Sequence, residues 1–252
     1  MRNSSPIENT GVVCRRSDGA FLGTCFIFRN PDTMLTADHV VAGYERDELA
    51  VALPASRARS SIFSVLNVQS HPTGDLAVLT ICPPDERDIT WAIDQMFNDY
   101  SYGLDVMAYG YPVQTVKDVV EPTPRLFQGY VQRFFSHSSH LGYKYLAAEL
   151  NFSCPGGLSG SLLINQKHHG RLYGIVTENL RTSTELESIL EVTDDGREYK
   201  ESYHNIINFG VAMWLPAVSD WINTVVPPLT QEEITRRSEN QHKWNIEERG
   251  EK

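Results

Sequence analysis

Cys154-Pro155-Gly156-Gly157-Leu158-Ser159-Gly160-Ser161 sets a serine hydroxyl on a turn built largely from small residues. Acyl transfer by serine needs such a turn: an exposed hydroxyl beside backbone N–H groups aimed at a developing oxyanion. Gly157 can turn its N–H inward because no Cβ obstructs the required dihedrals, and Gly160 lets the chain leave close beside the hydroxyl. Taken alone, the stretch reads equally well as a plain Gly/Ser turn between strands.

Two upstream stretches bear on that choice. Leu35-Thr36-Ala37-Asp38-His39-Val40 ends an apolar run in small residues and then a histidine. A general base needs a ring that titrates near neutrality and is held in one orientation, and a strand end supplies the second condition. Any single histidine is also read as a satisfied core or surface residue. Gly74-Asp75-Leu76-Ala77-Val78-Leu79 opens an apolar strand on a carboxylate. Asp75 is either a solvated turn residue or the group that holds an imidazole N–H and stabilises the imidazolium.

The surrounding sequence is a series of short β-rich runs separated by turn residues: Phe21–Phe28, Ile62–Gln69, Leu76–Ile81, Val106–Tyr109, Gly129–Phe135, Tyr143–Leu150, Ser161–Asn165 and Leu172–Thr177. Many short strands at this spacing predict an all-β sandwich or barrel rather than βαβ units. Cys82–Gly103 breaks the pattern with Pro83-Pro84 and the charge cluster Asp85 to Asp88, and reads as the connection between two β units. Asp194-Asp195-Gly196 is a hairpin signal that makes Ser183–Asn205 an excursion from the second unit. Pro216 predicts a helix start, with Leu215, Val218, Ile222 and Val225 on one face and Pro227-Pro228 as its end. Thr230 and Glu233 form a capping box, and residues 229–252 read as a frayed tail, a polar helix or a docking segment.

The chain has 252 residues, enough for one large or two small all-β domains, and a net charge of −10. An acidic surface repels phosphate and anionic lipid, so neither nucleic acid nor a membrane is expected as a partner. No apolar run reaches the ~18 residues that span a bilayer. The N-terminal MRNSSPIENTGVV has no apolar segment of a secretory signal. Cys14, Cys25, Cys82 and Cys154 show no metal-ligand spacing, so four reduced thiols, no metal and a cytoplasmic location are expected. No nucleotide or flavin motif is present, and His168-His169 reads as a surface pair on a loop.

The order His39, Asp75, Ser159, with these flanks, resembles the trypsin/chymotrypsin-like serine peptidases. TADHV is similar to the family's T-A-A-H segment, GDLAVL to its D-(I/L)-A-(V/L)-L segment and PGGLSGS to its G-x-S-G-G segment. Gly23-Thr24, Asp105–Pro112, Tyr173-Gly174-Ile175-Val176 and Phe209–Ile222 extend the resemblance over roughly residues 20–226. It implies two six-stranded antiparallel barrels: residues 1–95 with His39 and Asp75, and residues 96–215 with Ser159, followed by a helix and polar tail in 216–252. It implies a serine endopeptidase that needs no cofactor, with His39, Asp75 and Ser159 as triad and the N–H groups of Gly157 and Ser159 as oxyanion hole. Thr177, Glu178 and Asn179 would pair with an extended peptide substrate. Ser153 and Gly210 would shape the P1 pocket, whose neutral floor implies a small or apolar P1 residue.

The departures are informative. Leu158 stands where many secreted members carry the aspartate that pairs with a new N-terminal ammonium, so activation by N-terminal trimming is not expected. Ser161 and Leu162 replace a glycine and a proline. No cysteine follows His39, so the family's disulfide there is absent. The missing zymogen device and the extra segments 183–205 and 229–252 suggest gating by an activating protein partner or an oligomer. The alternative is a catalytically silent, protease-like module that binds peptides or partners.

Overall fold

A computed structural model describes residues 10–53, 61–82, 93, 95–116, 119–165, 167, 171–192, 198–237 and 239. The Asp194-Asp195-Gly196 turn, the His168-His169 pair and residues 240–252 lie outside them.

The first barrel is made of β1 (Thr10–Arg15), β2 (Phe21–Ile27), β3 (Thr33–Thr36), β4 (Leu49–Leu53), β5 (Ser61–Ser70) and β6 (Ala77–Ile81), closed in the order β1-β2-β3-β6-β5-β4. Helix α1 (Asp38–Val41) follows β3 directly. Next come β7 (Gln95–Met96), β8 (Asp105–Gly110), the hairpin β9 (Val113–Val116) and β10 (Val119–Pro122), β11 (Arg125–Ser138), β12 (Lys144–Leu150), β13 (Leu162–Asn165), β14 (Arg171–Val192) and β15 (Glu198–Trp214). The second sheet runs β13-β8-β11-β12-β15-β14-β7, and a further β13–β14 pairing closes its first six strands into an antiparallel ring. Strand β7 adds to that ring in parallel, and Ile93 bridges to Phe28. The stretch that reads as a connection therefore contributes pairing to both units, a tertiary effect that its polar composition does not reveal.

The apolar runs lack polar alternation because both faces of these strands are buried. In β2 and β3, Cys25, Ile27 and Met34 fill the first barrel, while Phe26 and Leu35, with Phe28 just after β2, face the second. In β13 and β15, Leu163, Ala212 and Trp214 fill the second barrel, while Leu162, Ile164, Val211 and Met213 face the first. One side chain per two residues thus goes to the seam between barrels. Truncating such a buried leucine or phenylalanine typically costs about 2–5 kcal/mol.

After β15 the chain makes a 3-10 turn at Leu215–Val218 and helix α2 (Ser219–Val225). Leu215, Ile222 and Val226 join the seam cluster, so the helix packs against the seam between the barrels. The Arg29 guanidinium donates to Val226 O and, at 2.8 Å, to Asn223 Oδ1, which places a cation at the helix C-terminus. The Thr230–Glu233 capping box forms, residues 231–237 are helical, and Arg237 donates to Arg29 O and Asn30 Oδ1. Of the readings open for this segment, its described part docks on the turn after β2.

Candidate active site

Asp75 sits in the turn before β6 and is 3% exposed. Its Oδ1 accepts the backbone N–H of His39 at 2.9 Å, and its Oδ2 lies 2.7 Å from His39 Nδ1. Helix α1 makes this possible: the chain leaves β3 at Thr36 and immediately coils, so one carboxylate reaches both the main chain and the ring of one histidine. The two contacts fix the imidazole's plane and leave Nε2 as the ring atom free to exchange a proton.

Ser159 belongs to the loop between β12 and β13, and that loop is tied to the first barrel through Thr24. The Thr24 N–H donates to Ser159 O (2.9 Å), and its hydroxyl donates to Gly157 O (2.9 Å) while accepting Tyr111 N–H (3.0 Å). Thr36 Oγ1 donates to Thr24 O (2.8 Å). Gly160 has φ +88°, and a Cβ there would lie 1.9 Å from Thr24 O, so only glycine lets the loop come this close. Gly23 lies against both Val40 and Ser159 O, which brings the residue after His39 and the serine to one point. The Ser159 hydroxyl itself donates to Thr177 O at 2.9 Å.

Gly157 has φ +87°, and a Cβ there would meet Phe21, Tyr111 O and Val113 within 2.8 Å. The Gly156 carbonyl accepts Val113 N–H at 2.8 Å. In a trans peptide the C=O and N–H point opposite ways, so the Gly157 N–H points away from β9. The following Leu158 is fully buried in the second barrel's core with Cys154, Leu163 and Trp214. An apolar residue there anchors the loop by packing where an ion pair is unavailable.

The other candidate residues occupy β14, β15 and the Ser159 loop. Thr177 is buried, and its hydroxyl donates to Val211 O at 3.2 Å. Glu178 is turned to His137, with whose Nε2 it shares a hydrogen bond, and to the Tyr145 hydroxyl at 3.3 Å. Asn179 folds back on Cys154: its Oδ1 accepts the Cys154 N–H at 2.7 Å, and its Nδ2 donates to Cys154 O. Gly210 lies against the Cys154 thiol, where a Cβ would stand 2.4 Å from Sγ. Ser153 is exposed, one residue before buried Cys154. Burial pushes the Cys154 thiol well above its ordinary value, so it lines the site as a neutral group.

Two contributors do not stand out in the sequence. Asp38, 8% exposed, accepts the Tyr143 hydroxyl at 2.7 Å on Oδ2, while its Oδ1 has no hydrogen-bond partner among the described residues. Burial, then the hydrogen bond to Asp38, raise the Tyr143 phenol far above its usual range. Beside it, Lys144 N–H donates to Thr73 O at 2.7 Å. Together they strap the start of β12 to the two segments that carry His39 and Asp75. The cue in the sequence is an aspartate at 38, where the T-A-A-H pattern has alanine.

Residues 23–175 match the trypsin-like peptidase domain family. No curated protein matches the sequence. Among solved structures, the chain is similar to the active form of the Rv3671c protease from M. tuberculosis (17% identity, TM-score 0.56, covering 89% of this chain and 85% of that one). It is also similar to the MamO protease domain from Magnetospirillum magneticum (15%, 0.56, covering 88% and 98%). The HtrA-type protease AlgW bound to a tripeptide aligns at 19% identity and TM-score 0.58, over 88% of this chain and 62% of that one. At these identities the likeness is one of fold.

Proposed function

We propose that this chain, which belongs to the trypsin-like peptidase domain family, is a serine endopeptidase that works through an acyl-enzyme on Ser159. The observation that carries the reading is the doubly bonded His39–Asp75 pair on one barrel, facing a seam to which the Ser159 loop is tied through Thr24. In this mechanism the Ser159 hydroxyl exchanges its bond to Thr177 O for one to His39 Nε2. Nε2 takes the proton as Oγ attacks the scissile carbonyl, and Asp75 stabilises the imidazolium. The oxyanion is held by the N–H groups of Gly157 and Ser159. Collapse transfers the proton from Nε2 to the leaving amine, and water repeats the sequence to free the acid and Ser159.

An extended peptide or protein substrate pairs with the edge Thr177–Asn179. Cys154, Asn179 and Gly210 leave a shallow, uncharged P1 pocket that suits a small or apolar side chain, with Ser153 at its outer margin. Leu158 removes the ion pair that N-terminal trimming would create, so control comes from an activating protein partner acting outside the core. The chemistry takes no cofactor, and we place the enzyme in the cytoplasm.

A fluorophosphonate probe tests the reading. Stoichiometric labelling of Ser159, lost in Ser159→Ala, is expected. Labelling elsewhere, or labelling that survives the substitution, would remove it. A peptide library cleaved strictly after Lys or Arg would overturn the P1 assignment.

A further inference from the structure

Strands β14 and β15 do not stop at the barrel. Beyond Asn179 and Gly210 they continue as a two-stranded ribbon of twelve register pairs, from Leu180↔Phe209 to Val192↔Glu198. At ~3.3 Å per residue the ribbon is roughly 40 Å long. An isolated two-stranded ribbon is at best marginally stable in water, and its edges are open to pairing. Residues directly opposite share a face, so the register sorts the side chains into two sets.

One face carries Ile207, Tyr203 and Tyr199 from β15, joined by Ile189 from β14. The tyrosines and Ile207 are 56%, 52% and 45% exposed, an apolar stripe without a cover among the described residues. Among the side chains described on that face, the charged ones are Glu187, opposite Tyr203, and Glu201, opposite Ile189. The Tyr203 hydroxyl reaches Glu201 Oε2 at 3.5 Å, which agrees with a shared face. The arm's described cations, Arg181 and Lys200, fall on the other face together with His204, where Glu185 stands opposite His204 and Glu198 lies two residues from Lys200. That face is compensated; the apolar one is purely acidic.

We propose that the Tyr199–Tyr203–Ile207 face is the docking surface for a partner protein segment that alternates apolar residues with Lys or Arg. Charge complementarity selects this occupant. A second copy would set Glu187 and Glu201 against the same glutamates in a chain of net charge −10. Apolar side chains would cover the tyrosines, and cations would meet the two carboxylates. The ribbon is one piece with the edge Thr177–Asn179, so its occupant acts on the strand whose carbonyl holds the Ser159 hydroxyl. That consequence rests on the peptidase reading; the docking does not.

The test uses the full chain and three fluorescent peptides of equal length: alternating Leu/Lys, alternating Leu/Glu and alternating Ser/Lys. Anisotropy should give the Leu/Lys peptide at least about tenfold tighter binding than either other. Glu187→Lys with Glu201→Lys should weaken it about tenfold, and Tyr203→Ser with Ile207→Ser should abolish it. Glu185→Lys with Glu198→Lys makes the same change in net charge on the opposite face and should leave binding within about twofold. Equal loss from both charge reversals, equal binding of the three peptides, or no saturable binding overturns the proposal. A dimer in sedimentation that Tyr203→Ser dissolves overturns it in favour of a second copy. Fluorophosphonate labelling of Ser159 is read in parallel. Binding with no labelling of Ser159 in either the free chain or its saturated peptide complex refutes the peptidase reading and leaves the docking; labelling without binding does the reverse.

Discussion

Asp75→Asn is the perturbation that the geometry resolves most sharply. Asp75 presents Oδ1 to the His39 backbone N–H at 2.9 Å and Oδ2 to His39 Nδ1 at 2.7 Å. Asparagine has the same shape but one oxygen and one NH₂. The backbone N–H can only donate, so the amide oxygen must face it, and the NH₂ is then directed at Nδ1. Nδ1 must therefore accept, which places the ring proton on Nε2. A ring protonated on Nε2 cannot take a proton from Ser159. The side chain stays buried and the His39 main-chain bond survives, so folding is preserved while the base is lost. Loss of the correct tautomer at a triad costs about 10⁴-fold, or about 5.5 kcal/mol in the barrier. The measurement is the second-order rate of fluorophosphonate labelling at Ser159, with circular dichroism to confirm the fold. A variant that keeps more than about a tenth of the parent rate would show that the Oδ1 and Oδ2 contacts do not set the tautomer.

Tyr143→Phe should destabilise the protein by about 1–3 kcal/mol in urea unfolding, because it leaves the Asp38 carboxylate buried without its donor. Adding Asp38→Ala to it should recover much of that loss; a double variant less stable than the single one would reject the argument. Gly160→Ala forces a Cβ to 1.9 Å from Thr24 O at φ +88° and should cost about 3 kcal/mol or more, read as a lowered melting temperature, with labelling of Ser159 falling alongside. Burial raises the Cys25 and Cys154 thiols far above their ordinary values, so at pH 8 they stay protonated. Maleimide mapped by mass spectrometry should reach exposed Cys82 first and those two only after unfolding. Arg29→Ala removes the cation from the end of α2 and the donor to Asn223, so thermal melting should fall by a few degrees, and proteolysis after Val226 should quicken.

The all-β class was legible in the sequence because it depends on local pattern. Phe21–Phe28 and Leu76–Ile81 are short, turn-bounded apolar runs that coincide with β2 and β6 to within a residue, and Leu172–Thr177 marks the start of the longer β14. The sequence marks Ser183–Asn205 as an excursion, but not that β14 and β15 run on through it as one paired ribbon. Register pairing decides that, and its apolar face appears only once Tyr199, Tyr203 and Ile207 are seen to share a side with Glu187. The Cys82–Gly103 connector hid its strand because Gln95 and Met96 gain their meaning only from β14.

The Ser159 stretch shows where that division falls. Its glycines were readable in advance, since a tight turn with φ +87° and +88° at Gly157 and Gly160 is a demand on the local backbone. What holds the turn was not readable. Thr24 reaches Gly157 across 133 residues, and Tyr143 reaches Asp38 across 105. Such contacts carry no periodicity and no spacing rule, because they exist only after two barrels have closed and packed face to face. The sequence by itself determined the strands, the turn chemistry and the order of His39, Asp75 and Ser159. The tertiary structure alone decided which main-chain groups hold them, because hydrogen-bond partners between barrels are set by packing and not by neighbourhood along the chain.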